Sequence, residues 1–208
     1  MNIKLIVFDL DGTLIEWENS WNRIRESLGL TKEYVNAYIN KEITYFELKE
    51  KDKKHWIEKE VKKEGLKEAL KDYKLNSHVE FVINELKKRN IKIVMISEAP
   101  CLIANEVGER LGFDYVFCTE IIFNDENKFK DYKLNVPGPL GKLKVFKEIC
   151  KKLGIDTKNA IAVGDHLNDI EMLKEAGISI AYNSKVKELD EIADVKIEDM
   201  RELLRHID

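Results

Sequence analysis

No run of this 208-residue chain approaches the roughly 20 consecutive apolar residues that a membrane-spanning helix needs, which excludes a helical span. Cysteine is scarce. Cys101, Cys118 and Cys150 stand far apart and form no C-x-x-C pair, which fits free, buried thiols in a reducing compartment. There is no excess of positive charge: 35 basic residues face 39 acidic ones, for a net charge of −4, so no overall field attracts nucleic acid. A small molecule is the expected partner. The first residues lead straight into a strand, without the basic, apolar and small-residue order of a secretory leader, so a cytoplasmic location is expected. Internal repeats and low-complexity linkers are also lacking. What the chain has in abundance is charge of both signs, 36% of its residues against about 25% in an average protein. That Lys- and Glu-rich composition occurs in thermophilic proteins, and also in merely very soluble ones.

The length allows one large domain or a domain with an insertion. Its pattern is set by the stretch Ile3 to Thr13. Leu5 to Phe8 is a continuous apolar run, the mark of a strand buried on both faces, and it ends in Asp9-Leu10-Asp11-Gly12-Thr13. A strand of this kind delivers its last residues to the carboxyl edge of a sheet, where open α/β sheets bind ligands. An acidic turn without function has the same composition.

From residue 15 to 76 no strand is expected. A helix should run from about Glu16 to Leu28 and stop at Gly29, Thr31 should cap a second, and Thr44 should open a third that carries Phe46, Leu48, Trp56 and Ile57. Most of the aromatic residues here should pack a small helical core, with one or two left to face a substrate cleft. After this, Ser77-His78-Val79-Glu80 reads as a capping box, followed by a helix with Phe81, Val82 and Leu86 on its buried stripe. Further buried strands are expected at 91–96, ending at Ser97, at 115–117, at 160–163, ending at Gly164-Asp165, and at 178–181. A β-hairpin is expected within 119–136, and Lys142 should open a helix after Pro137-Gly138-Pro139. The alternation predicts an α/β fold: a doubly wound, parallel, Rossmann-like sheet formed by 1–14 and 77–208, with 15–76 inserted after the first strand as a helical cap.

Three strand ends would then hold Asp9 and Asp11, Ser97, and Asp165 with Asp169. Four carboxylates at one sheet edge repel one another, so the arrangement requires a cation and a lysine. All-oxygen ligands suit Mg²⁺, and Lys142 is the lysine placed to serve. His166, among hard oxygen ligands, is not expected to join them.

These residues resemble the motifs of the haloacid dehalogenase superfamily of phosphohydrolases. Asp9-Leu10-Asp11-Gly12-Thr13 is similar to its first motif, Ser97 to the second, Lys142 rather than Lys144 to the third, and Gly164-Asp165-x-x-Asn168-Asp169 to the fourth. The helical insertion and the Asn-Asp ending resemble the phosphoserine phosphatase branch. The resemblance implies hydrolysis of a small phosphorylated metabolite. Asp9 would be the nucleophile that forms an aspartyl-phosphate, and Asp11 the acid and base. Mg²⁺ would be held by Asp9, Asp165 and the backbone of Asp11. Gly12, Thr13, Ser97 and the backbone at Glu98 would hold the phosphoryl oxygens, Lys142 would bridge Asp9 to them, and Asn168 and Asp169 would support the metal.

Two positions depart from that branch: Gly12 stands where a serine is usual, and Glu98-Ala99-Pro100 replaces a glycine-rich stretch. Glu18 matches a substrate-binding glutamate, whereas no arginine occurs between Arg25 and Arg89 to hold a substrate carboxylate. The substrate is therefore a small phosphomonoester of which phosphoserine is one candidate. A phosphotransferase or phosphomutase using the same intermediate, and a phosphate-binding module without turnover, stay open. The sequence sets no oligomeric state.

Overall fold

A computed structural model describes residues 2–207. At the centre of its sheet lies β1 (Leu5–Phe8), hydrogen-bonded in parallel to β2 (Lys92–Pro100) on one side and to β5 (Ala160–Gly164) on the other. Beyond β2 come β3 (Tyr115–Phe123), parallel, and β4 (Phe129–Leu134), antiparallel at the edge; beyond β5 come β6 (Ile178–Tyr182) and β7 (Val195–Ile197), both parallel. The expected doubly wound α/β sheet is what forms. The 119–136 hairpin is β3 returning as β4.

The apolar run of β1 is explained by its two partners. Ile6 and Phe8 face one side of the sheet with Ile93, Met95, Ile161 and Val163, and Leu5 and Val7 face the other with Val94, Ile96, Ala160 and Ala162. Every one of these side chains is buried completely. Helices α5 (Val79–Lys88) and α6 (Cys101–Leu111) cover the first side, and α7 (Gly141–Leu153), α8 (Ile170–Glu175) and α9 (Lys187–Ile192) cover the second.

Between β1 and α5 the chain forms α1 (Ser20–Ser27), α2 (Glu33–Ile39), α3 (Tyr45–Glu58) and α4 (Lys63–Leu70). Trp21, Ile24, Trp56 and Leu66 from these helices join the same apolar cluster as Ile6 and Phe8, so the insertion shares a continuous core with one side of the sheet. Thr44 caps α3 with a reciprocal box to Glu47, as its position predicts.

Other local expectations are corrected. The first helix begins at Ser20 rather than near Glu16, because Asn19 accepts the Asn22 N–H as its cap and Ile15 bridges instead to Leu75. Ser77 and Glu80 form no capping box; His78 adopts a left-handed φ of 66° immediately before α5, and no side chain caps that helix. Phe81 is 51% exposed, and Ile83 takes its place on the buried stripe. The free-thiol reading fails for two cysteines: Cys101 at the start of α6 and Cys118 on β3 form a disulfide, with Cα atoms 5.1 Å apart. Strand pairing brings together residues whose spacing in the chain gives no hint of it. Cys150 alone among the described cysteines remains a free, buried thiol.

Candidate active site

Register builds the site. Phe8 stands level with Met95 and Val163, so the chain positions that follow these residues emerge together at the carboxyl edge: Asp9, Ser97 and Asp165. The β2–β3 pairing is irregular between Ile96 and Pro100, a break that turns Ser97 and Glu98 out of the regular ladder. Asp9 is anchored through its N–H to the carbonyl of Val163, at 3.0 Å.

Lys142 occupies the first turn of α7 and is buried. Its Nζ lies 2.8 Å from Oδ1 of Asp9 and 2.6 Å from Oδ1 of Asp169. Burial alone would depress its pKa, but the two carboxylates hold it above the usual lysine range. Asp169 has a second task. Its Oδ2 accepts the backbone N–H groups of Asp165 (3.2 Å) and His166 (3.1 Å), folding the loop after β5 over itself. That loop needs a residue without Cβ at Gly164, where a Cβ would come within 2.3 Å of the Asp169 carboxyl carbon.

Asp9, Asp165 and Asp169 each present a carboxylate oxygen within 4.8 Å of the others. One lysine offsets only part of this charge. Burial and the neighbouring charges of Asp9 and Asp169 push the pKa of Asp165 up to about 8, and Asn168 Oδ1 is buried without a hydrogen-bond partner. Concentrated carboxylates, a titration displaced upward and an unsatisfied amide oxygen all fit a hard divalent cation. His166 is exposed and stands outside the cluster.

Asp11 is held apart from that group. Its carboxylate accepts the Ser20 N–H (2.7 Å) and the Ser20 hydroxyl, both from the first turn of α1. Burial raises its pKa to about 7 against these two hydrogen bonds, so it changes protonation state near neutrality. Ser20 is a residue that sequence reasoning missed, and the sequence carries no signal for it beyond its place at a helix start.

Gly12 and Thr13 differ from expectation. The Gly12 N–H donates to the carbonyl of Trp17 at 2.6 Å and the Thr13 N–H to that of Leu10 at 3.3 Å, so neither is free for a phosphoryl oxygen. The Thr13 hydroxyl donates to Asp165 Oδ1 at 3.0 Å. Gly12 serves the site by its size and its φ of +75°: a Cβ there would lie 2.2 Å from Asp165 Oδ2. Asn76, also missed, donates its side-chain amide to the carbonyls of Gly12, Thr13 and Ile15, at 2.9 to 3.2 Å. It ties the return from the insertion to the turn after β1.

Ser97 is buried, with its Oγ accepting the Ala99 N–H at 3.2 Å, which leaves the hydroxyl proton available. The Glu98 carbonyl accepts the Trp21 indole N–H (3.0 Å) and the Thr119 hydroxyl (2.9 Å). The Glu98 carboxyl is pushed up to about 7, chiefly by burial. Glu18 is 77% exposed and pairs with Lys185 at 2.6 Å.

Residues 3–177 match the family model of haloacid dehalogenase-like hydrolases. The chain is 32% identical over 212 residues to a phosphoserine phosphatase of Methanocaldococcus jannaschii, with 98% of this chain and 97% of that protein covered. It superposes on a solved substrate-bound phosphoserine phosphatase complex with a TM-score of 0.86 at 30% identity, over the whole of both chains. A hydrolase of the same superfamily from Salmonella enterica, 22% identical, shares the fold with a TM-score of 0.87 over this whole chain and 72% of that one.

Proposed function

The chain belongs to the haloacid dehalogenase-like hydrolases, and on that premise we propose that it is a Mg²⁺-dependent phosphatase that hydrolyses a small phosphomonoester through an aspartyl-phosphate on Asp9. The observation that carries this reading is the division of labour between the first two aspartates. Asp9 is ionically fixed by Lys142, whereas Asp11 two residues on is held by Ser20 and titrates near neutrality. One carboxylate is suited to attack, the other to move a proton.

In the first step a carboxylate oxygen of Asp9 forms a bond to phosphorus while the bond to the leaving oxygen breaks, and protonated Asp11 gives its proton to that oxygen. In the second, ionised Asp11 takes a proton from water as its oxygen bonds to phosphorus and Asp9 is released. Ser97 donates its hydroxyl to a phosphoryl oxygen, and the Lys142 ammonium, already at Asp9, balances negative charge that gathers on the transferring group. Asp9, Asp165 and the Asp11 backbone carbonyl would hold the Mg²⁺, which supplies charge neutralisation between the nucleophile and the phosphoryl oxygens. Asp169 and Asn168 position that set, Asp169 through Lys142 and the loop N–H groups.

Residues 15–76 act as the cap over this edge, with 1–14 and 77–208 as the catalytic core. The Trp21 bond to the Glu98 carbonyl supports this, because it fixes the insertion directly onto the phosphate-side loop. A phosphoserine-like substrate fits the relatives, and a substrate amine would reach Glu18 by displacing Lys185. The chain is expected to work in the cytoplasm.

The test is release of inorganic phosphate from a panel of phosphorylated amino acids, sugars and nucleotides, with Mg²⁺ or EDTA. Metal-dependent release supports the reading. Metal-independent release, or transfer of the phosphoryl group to an alcohol in place of water, overturns it.

A further inference from the structure

The Cys101–Cys118 disulfide takes no part in the chemistry at Asp9, yet it borders the loop that carries Ser97. Cys101 opens α6 and is the fourth residue after Ser97. Between Ile96, level with Phe117, and Pro100, level with Thr119, the β2–β3 register slips, so Ser97, Glu98 and Ala99 have no partner in that ladder. They are held by other ties. Thr119 donates its hydroxyl to the Glu98 carbonyl at 2.9 Å, Trp21 donates its indole N–H to the same oxygen at 3.0 Å, and the disulfide fixes Cys101 to the residue before Thr119. The β3 end of that bond is firmly seated. Cys118 is buried, its carbonyl accepts the Asn135 side-chain amide at 2.9 Å, and Thr119 pairs with Leu134 of β4. One sulfur thus belongs to the sheet and the other to the end of the Ser97 loop.

The two sulfurs also differ in the thiol chemistry open to them. Cys118 is buried and Cys101 is partly exposed, so an incoming thiolate has Cys101 to attack. Cys101 is also the first residue of an 11-residue helix whose first turn carries neither a side-chain cap nor an acidic residue. The unpaired N–H groups of that turn stabilise a thiolate on Cys101. A purely structural bond needs neither feature. In the cytoplasm, where this chain is expected to work, disulfides are rare and those that form are mostly catalytic or redox-sensing.

We propose that Cys101–Cys118 is a thiol–disulfide exchange site through which a dithiol reductant controls the order of the Ser97 loop, and with it the rate of phosphate release. The effect on rate rests on the phosphatase reading; the effect on the loop does not. A thiolate of the reductant attacks Sγ of Cys101, and the sulfur–sulfur bond breaks with its electron pair going to Cys118, which takes a proton. The reductant's second thiolate then attacks its own sulfur in the mixed disulfide, and Cys101 leaves as a thiolate. Two electrons pass to the protein, one proton ends on Cys118 and one in solvent, and the dithiol becomes a disulfide. The loop then lacks its covalent tie, and the reduced protein is the less active form.

The test compares the full chain purified without reductant with the same protein after treatment with dithiothreitol. Titration of thiols in denaturant should find one before treatment, from Cys150, and three after it. Reduction should lower kcat/KM for phosphate release about fivefold or more, reversibly, because the Ser97 donor is displaced part of the time rather than removed. Amide hydrogen exchange should quicken about tenfold at residues 98–102 and stay unchanged in β1 and β5. Cys101→Ser with Cys118→Ala should behave as the reduced protein with or without dithiothreitol, and Cys150→Ala should respond as the parent does. Three thiols before treatment, loop exchange that reduction leaves unchanged, or a rate that ignores the state of the bond overturns the proposal; the last would make the disulfide a structural staple. Should the double variant fail to fold by circular dichroism, the thiol count, rate and exchange of the parent decide. A parent that releases no phosphate in either state refutes the phosphatase reading, and hydrogen exchange then decides for or against control of the loop.

Discussion

The sheet edge and the insertion both bury charge, and they do so in opposite ways. At the edge, Asp9, Asp165, Asp169 and Lys142 come from β1, the loop after β5 and the start of α7, segments far apart in the chain that the sheet register holds together. The carboxylates outnumber the lysine, and the excess is the demand for a cation. In the insertion, Arg25 and Asp52 meet one to one across α1 and α3, and Lys49 lies over the ring of Trp21 with the carboxylates of Asp52 and Glu98 near enough to oppose the effect of its burial. The edge is short of positive charge where a metal and a phosphate are handled. The insertion balances its buried cations with Asp52 and with Glu98 from the loop after Ser97. The edge thus keeps an excess of one sign of charge, and the helical layer packed against it does not.

The sharpest way to break this comparison is Asp9→Asn. If the edge carries the chemistry, phosphate release should fall by about a thousandfold or more while the circular dichroism spectrum is unchanged. Lys142→Met comes next. It leaves Asp9 and Asp169 buried without their cation, and denaturant unfolding without added metal should show a loss of about 3–5 kcal/mol.

Metal and pH test the charge deficit itself. The pKa values of Asp11, about 7, and Asp165, about 8, both lie above the 3.8 of an ordinary aspartate, so the native state holds these protons more tightly than the unfolded chain. The contribution to stability is full below about pH 4 and is lost as pH rises through those two values. Metal-free protein should therefore melt at progressively lower temperature from pH 5 to pH 8. Mg²⁺ at a hundred times its dissociation constant should restore about 2.7 kcal/mol, with a larger increment in melting temperature at pH 8 than at pH 5. An increment independent of pH would place the ion away from Asp165.

The smallest effect is expected in the insertion. Replacing the Arg25–Asp52 pair together, Arg25→Met with Asp52→Leu, should change unfolding free energy by about 1 kcal/mol or less, since two desolvated charges are exchanged for apolar contacts. Asp52→Asn alone should be far worse, because it leaves Arg25 buried without a counter-charge.

Much of the edge was legible in the chain. Asp9, Asp11, Ser97, Lys142, Asp165 and Asp169 could be located because strand ends and short motifs are local, and a buried parallel strand announces itself by an unbroken apolar run. What was not legible depends on partners distant in sequence. Cys101 and Cys118 looked like separate thiols until β2 and β3 paired, and Phe81 looked buried because a helical period does not say how wide a face its neighbours cover. The Gly12 and Thr13 N–H groups looked available until the turn after β1 closed on the carbonyls of Trp17 and Leu10.

The sequence by itself determined the run of strands from β1 to β6, the insertion after β1, and the residues that reach the carboxyl edge, because backbone periodicity and strand termination are properties of a few consecutive side chains; α9 and β7 are too short to show a period and were not read from it. Only the tertiary structure decided which protons and charges those residues carry. The rise of Asp11 and Asp165 and the fixing of Lys142 between two carboxylates both arise from desolvation and from charges brought within a few ångströms by folding, and neither quantity exists along an extended chain.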